Sequence, residues 1–137
     1  MKHILLDSDV LLDYFLDRAP HNNYSEQLLK ACETGKIRGY VTAVAIGNLY
    51  YILAKSISTK DAKDCISLLM DLLEVAIIDK KVVLDALKSS FKDFEDGLQS
   101  FAGYQNKDIS LVITRNIKDY KDSKLPVMTP YEFLQQQ

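Results

Sequence analysis

The chain has 137 residues, enough for one domain with a single core and too few for a second of ordinary size. Hydrophobic residues make up 47% and charged residues 26%, near the averages for soluble globular proteins, so neither disorder nor a membrane class is indicated. With a net charge of −2, any polyanionic partner has to be held by a local cationic patch or through bound metal, not by the field of the whole molecule.

At the N-terminus Met1-Lys2-His3 runs directly into Ile4-Leu5-Leu6-Asp7. An acid there interrupts a signal-peptide core, and no later apolar run approaches the roughly 20 residues that span a bilayer, so cytoplasmic residence without membrane contact is expected. Ile4–Leu6 is the first predicted strand, and Val10-Leu11-Leu12 belongs to the helix that follows it. Gly35 and Gly39 are predicted to bracket a turn before the second strand, Tyr40–Thr42. Leu49, Ile52, Leu53 and Ile57 then repeat at helical spacing, and Ser58 or Thr59 is placed to cap a helix carrying Ile66, Leu69, Met70 and Leu73. Val75–Ile78 is the third predicted strand, and a helix with the stripe Phe94, Leu98, Phe101 and Ala102 follows it. The last predicted strands are Leu111–Thr114 and Val127–Met128, the second bracketed by Pro126 and Pro130, with a short helix at Tyr131–Leu134.

These strand runs are continuous and largely β-branched rather than alternating, as when helices cover both faces of a parallel sheet. Alternation with helices predicts a three-layer α/β/α fold with a central, mainly parallel five-stranded sheet, and a single domain over residues 1–137. Cys32 and Cys65 have no CxxC spacing and no neighbouring histidine, and are expected to be reduced core thiols.

In open parallel sheets ligands bind outside the carboxyl ends of the strands. The residues there are Asp7, Thr42, Asp79 and the run Thr114-Arg115-Asn116. Asp7 directly follows a buried strand, where a carboxylate is costly unless paired, hydrogen-bonded or metal-bound. Spacing alone leaves two readings open, a cap on the first helix or a ligand in a site. Asp9, Asp13 and Asp17 recur every four residues and are expected to line a solvated helix face, with Asp9 near enough to Asp7 to touch the site. Asp93 and Asp96 share a face near a helix start, away from the apolar stripe. They either complement the helix dipole or meet Asp7 and supply oxygens to a hard cation, Mg2+ or Mn2+, which would activate water and neutralise charge on a phosphodiester.

The run Ile4-Leu5-Leu6-Asp7-Ser8-Asp9-Val10-Leu11-Leu12-Asp13 resembles the opening motif of the PIN domain family, particularly its bacterial toxin-type members. Phe94-Glu95-Asp96-Gly97-Leu98-Gln99 resembles the later acidic motif, and Val112 to Tyr120 resembles the closing "TRN…DF" segment. The tail Pro126-Val127-Met128-Thr129-Pro130-Tyr131-Glu132-Phe133-Leu134 is similar to the family's usual end. The resemblance implies a metal-dependent endoribonuclease cutting single-stranded RNA, with a small antitoxin partner and a homodimer. It implies Asp7 and Asp96 as metal ligands, Asp93 and Asp119 as assisting acids, and Asn48 and Asn116 completing the polar shell. Asn48 stands where the family usually has Glu, and Asn116 stands where a final Asp is common, with Asp119 as a possible substitute.

Arg115, Lys118, Lys121 and Lys124 form a cationic cluster just past the fourth strand, placed to contact phosphates, with solvated surface the commoner role of such a run. Lys60, Lys63, Lys80 and Lys81 are further basic spots expected on solvated surface. Tyr14, Tyr50, Tyr51 and Tyr104 are candidates for base stacking, with packing the commoner role. The departure at Asn48 keeps a second function open, a catalytically degenerate module that binds RNA or a protein. Asp7-Ser8-Asp9 also matches the DxD of haloacid dehalogenase phosphatases, but Val10-Leu11 follows where Gly-Thr is usual.

Overall fold

Each predicted apolar run contributes to one sheet, in which the strands, counted in chain order, lie third, second, first, fourth and fifth, each parallel to its neighbours. A computed structural model describes residues 1–137. The elements are β1 Lys2–Leu6, α1 Ser8–Phe15, α2 His21–Glu33, β2 Ile37–Thr42, α3 Ala43–Ser56, α4 Thr59–Leu72 and β3 Leu73–Ala76. They continue with α5 Lys80–Lys88, α6 Phe94–Gln105, β4 Leu111–Ile113, a 3-10 helix Ile117–Tyr120, β5 Val127–Met128 and α7 Pro130–Gln135. No helix is long and apolar enough to cross a membrane.

Side-chain alternation along the strands divides the interior into two layers. Ile4, Leu6, Val41 and Ile113 pack with α1 to α4 and α7 in the larger core, which Leu11, Leu28, Leu49, Leu69 and Phe133 fill. Leu5, Tyr40 and Val112 face the other side with Ile109 and Tyr120. There α6 comes close to β1 at Gly103, where an added Cβ would stand 3.1 Å from Leu5 Cδ2. Local polar chemistry sets the helix starts. Asp7, Thr42, Ser58, Asp79, Asp93 and Thr129 each cap the helix that follows by accepting a backbone N–H. Cys32 and Cys65 are free and half-buried against the larger core, and burial pushes the Cys32 thiol up to about 11.

Two expectations shift. The third strand occupies Leu73–Ala76 rather than Val75–Ile78, because α4 passes into it without a loop, Leu73 being both helix cap and first strand residue. It is an edge strand, and the apolar run outlasts its pairing, leaving Ile77 70% exposed. Gly39 lies inside β2, paired with Ile4, rather than in a turn; β2 begins at Ile37. The absent side chain makes room for α2 and β3, since a Cβ would fall 2.6 Å from Leu73 Cδ2 and 2.8 Å from Cys32 Sγ. Gly39→Val therefore overpacks this junction and is expected to lower the unfolding free energy by about 1–3 kcal/mol in urea titration.

Candidate metal and phosphodiester site

The chain leaves β1 for β2 on one side, and only later places β4 on the other, so the loops after β1 and β4 part and leave a crevice at their carboxyl ends. Asp7 and Thr114 stand at that point. The Asp7 N–H donates to the Ile113 carbonyl at 3.0 Å, and the Thr114 N–H donates to Met128 at 3.0 Å, which carries sheet bonding to the crevice floor. Asp7 Oδ1 accepts from the Ser8 N–H (2.7 Å) and from Gln99 Nε2 (3.1 Å), while Oδ2 accepts from the Thr114 hydroxyl (2.9 Å). Of the two readings open for Asp7 the structure gives the cap on α1, and the same carboxylate, 7% exposed, lines the crevice.

Gln99 is the residue that ties α6 to this point. Its carbonyl accepts from the Thr42 hydroxyl (3.3 Å), which itself accepts from the Ala45 N–H (3.1 Å). Its amide donates to both Asp7 and the Tyr120 hydroxyl, the latter at 3.3 Å. A continuous polar chain therefore runs from the start of α3 through Gln99 to Asp7, with Gln99 only 4% exposed. Burial and the carboxylates of Asp7 and Asp96 push the Tyr120 phenol far up, so it stays protonated. Sequence reading singled out neither Gln99 nor Tyr120 as a site residue. Gln99 follows Asp96 by one helical turn, and that spacing was the available signal.

Asp9 Oδ2 accepts from the Arg115 N–H (3.1 Å) and from Asn116 Nδ2 (3.2 Å), and lies 3.3 Å from the Thr114 hydroxyl, whose one proton goes to Asp7. Its Oδ1 is buried with no hydrogen-bond partner. Burial, then the neighbouring Asp7 charge, pushes the Asp9 carboxyl up to about 7. The expected solvated face of α1 is corrected at Asp13, which is fully buried. Arg115 grips it with both prongs, Nε to Oδ2 at 2.6 Å and Nη2 to Oδ1 at 3.0 Å, and Arg18 stands 3.7 Å away. Asp17 lies beyond the end of α1, in the left-handed region at φ 53°, and accepts from Asn22. The Arg115 side chain, read from sequence as a phosphate contact, is thereby committed to Asp13, while its backbone N–H orients Asp9.

From α6, Asp93 caps the helix by accepting the Asp96 N–H at 3.1 Å. Burial raises the Asp96 carboxyl to about 7, helped by the charges of Asp7, Asp93 and Asp119. A cavity of about 260 Å³ is lined by Asp7, Asp9, Asp93, Glu95, Asp96 and Asp119, together with Ser8, Asn48, Gln99 and Asn116. The structure thus brings together Asp7, Asn48, Asp93, Asp96, Asn116 and Asp119 but leaves Arg115, Lys118 and Lys121 outside the lining. Lys118 and Lys121 are exposed on and just past the 3-10 helix. Asn48 Nδ2 donates to the Ser8 hydroxyl at 3.3 Å. Asp79 is occupied in capping α5 and accepting from Gln105, and does not line the cavity.

The donors are all hard oxygens, and an unpartnered buried carboxylate oxygen among like charges is what a divalent cation satisfies. No three of the acids converge tightly enough to enclose an ion by themselves. That arrangement fits a hard divalent cation held by one or two carboxylates and otherwise by water and phosphate.

The fold and the acidic crevice together define a small α/β domain with an oxygen-lined candidate cation site at the carboxyl ends of its strands. The family model for the PIN domain matches residues 3–118, and the chain belongs to the PIN domain family. It is 28% identical over 135 residues to Ribonuclease VapC1 of Aquifex aeolicus, a match spanning 95% of this chain and 92% of that protein. Its fold is similar to that of VapBC2 from Rickettsia felis bound to a DNA fragment from their promoter, with a TM-score of 0.71, 13% identity, and 93% and 98% of the two chains covered. It is also similar to VapBC-1 from nontypeable Haemophilus influenzae, with a TM-score of 0.70, 14% identity, and 94% and 98% covered. Membership in this family displaces the phosphatase alternative.

The Asp13 pair yields a direct test. Arg115→Ala strands a fully buried carboxylate, which costs about 3–5 kcal/mol where no other cation helps. With Arg18 close by and the Arg115 side chain 30% exposed, the expected loss is at the lower end, about 3 kcal/mol, read from the urea midpoint.

Proposed function

We propose that the chain is an endoribonuclease that depends on a divalent cation, Mg2+ or Mn2+, and hydrolyses phosphodiester bonds of single-stranded RNA. The observation that carries this reading is the buried, unpartnered Asp9 oxygen beside Asp7, in the cavity that Asp96 also lines, two of the three carboxyls being pushed up to about 7. Asp7 and Asp96 are the assigned cation ligands, with Asp9, Asp93 and Asp119 completing the negative shell. Such a cation, when bound, offsets phosphate charge and supplies an activated water. The protein's own groups do the positioning. Gln99, Thr114 and the Ser8 N–H fix the Asp7 carboxylate, and Asn116 and the Arg115 N–H fix Asp9. Lys118 and Lys121, exposed beside Asp119, are assigned to flanking phosphates.

The VapC and VapBC names of its relatives support a further assignment, that the chain is the toxin of a toxin–antitoxin pair and works with a small antitoxin protein; a homodimer is assigned with it on the family resemblance alone. A short reading frame encoding a DNA-binding protein beside its gene is the expected companion. A second reading draws on Asn48: an amide in place of the usual Glu, already bonded to Ser8, lowers the negative charge of the site and favours a degenerate module that binds RNA or protein without cutting.

Cleavage separates the two. Purified protein with Mn2+ is expected to cut single-stranded RNA, and Asp7→Asn and Asp96→Asn are each expected to reduce kcat by at least about 100-fold. Intact RNA, or variants that cut as well as the parent, sinks the ribonuclease assignment. Asn48→Glu restores a unit charge near the site and is expected to tighten Mn2+ binding about tenfold by calorimetric titration. An absence of Mn2+ binding by the parent at millimolar concentration would favour the degenerate module.

A further inference from the structure

A groove of about 570 Å³ lies between α5, α6 and the segment before β5, and none of its lining belongs to the carboxylate cavity. Lys81 and Lys88, seven residues apart on one face of α5, and Lys124 supply three positive charges against the single Asp85. Lys81 pairs with Asp85 at 3.0 Å, whereas Lys88 and Lys124 enter no ion pair. In a chain of net charge −2 this is a local cationic surface of the kind a polyanion requires. It is also aromatic. The Lys124 ammonium stands 5.1 Å from the Tyr104 ring centre and 5.9 Å from that of Phe101, and Tyr104 is 51% exposed.

Cations interleaved with an exposed ring match a ligand that has both phosphates and flat bases. An acidic peptide would use the lysines and leave the rings idle. Position adds a second argument. Asp96 of the carboxylate cavity and Tyr104 of the groove lie on α6, eight residues and about 12 Å apart along its axis. At about 3.4 Å per stacked nucleotide that distance is three or four nucleotides of a single strand.

We propose that this groove is a second RNA-contacting site, in which Tyr104 stacks a base three or four nucleotides from the bond to be cut and Lys81, Lys88 and Lys124 take the phosphates beside it. The proposal rests on the ribonuclease reading for its ligand. It extends that reading by making affinity depend on RNA length beyond the cleavage point.

The test is anisotropy of a labelled oligouridine of about 12 nucleotides, with EDTA present so that nothing is cut. Tyr104→Ala is expected to weaken binding about tenfold. The double variant Lys88→Gln/Lys124→Gln is expected to flatten the slope of log affinity against log salt by about 1.4. Thermal melts by circular dichroism verify that both variants fold as the parent does. No binding by the parent overturns the proposal, as do variants that bind within about twofold of it. Capture of an oligoglutamate peptide by the parent, lost in the double variant while RNA affinity is unchanged, assigns the groove to protein and equally overturns it. Cleavage with Mn2+ is scored separately on the parent, so failure of the ribonuclease reading and failure of this groove give different results.

Discussion

A carboxylate at the end of a buried parallel strand is affordable only where several donors converge on it, and at Asp7 they come from three separate parts of the chain. Ser8 supplies a backbone N–H from α1, Gln99 an amide from α6 and Thr114 a hydroxyl from the end of β4. Hydrogen bonds to an ionised group contribute about 1.5–3 kcal/mol each, enough together to offset a desolvation penalty of several kcal/mol. Each donor depends on a different piece of tertiary structure. The Thr114 hydroxyl is in place because β4 pairs with β1 at Leu6 and Ile113, and Gln99 because Gly103 lets α6 come close to Leu5. The strand order, the absence of a side chain at Gly103 and the orientation of Asp7 are therefore one constraint seen at three scales.

Around this anchor the other acids are treated unequally. Asp13 is removed from the crowd by a bidentate guanidinium that satisfies both of its oxygens. Asp93 turns its carboxylate to the α6 backbone. Asp9 and Asp96 are left half-buried, facing like charges, and Asp9 keeps one oxygen with nothing to bond. Negative charge without a cationic partner is thus left at the crevice, and Asp13 alone among the α1 acids is drawn out of it. Arg115 serves both halves of that division, its side chain neutralising Asp13 and its N–H orienting Asp9.

Much of this was legible in the chain because strand ends and caps are local. The element order follows from apolar runs and capping residues, and Asp7, Asp93 and Asp96 follow from their places beside them. What escaped was set by partners distant in sequence. The spacing of Asp9, Asp13 and Asp17 suggests a wet helix face, yet Arg115, about 100 residues on, covers it at Asp13, and α1 ends before reaching Asp17. Gln99 reads as an ordinary polar helix residue until the burial of α6 brings it between Thr42 and Asp7. Gly39 looks like a turn because its real role, giving room to Cys32 and Leu73, involves atoms from two other elements.

The same balance explains how an amide at position 48 fits this site. A carboxylate there would add a further negative charge to a cavity whose acids already raise one another's affinity for protons. Asn48 instead spends its amide on the Ser8 hydroxyl, beside the anchor, and keeps a carbonyl oxygen as a neutral donor. Without a cation, the neutral side chain lowers the repulsion that the fold must hold in place. With a cation, it gives up part of the attraction that would bind the ion. On the proposed cation reading, the departure exchanges part of that attraction for weaker repulsion among the acids, while the three donors to the Asp7 carboxylate remain Ser8, Gln99 and Thr114.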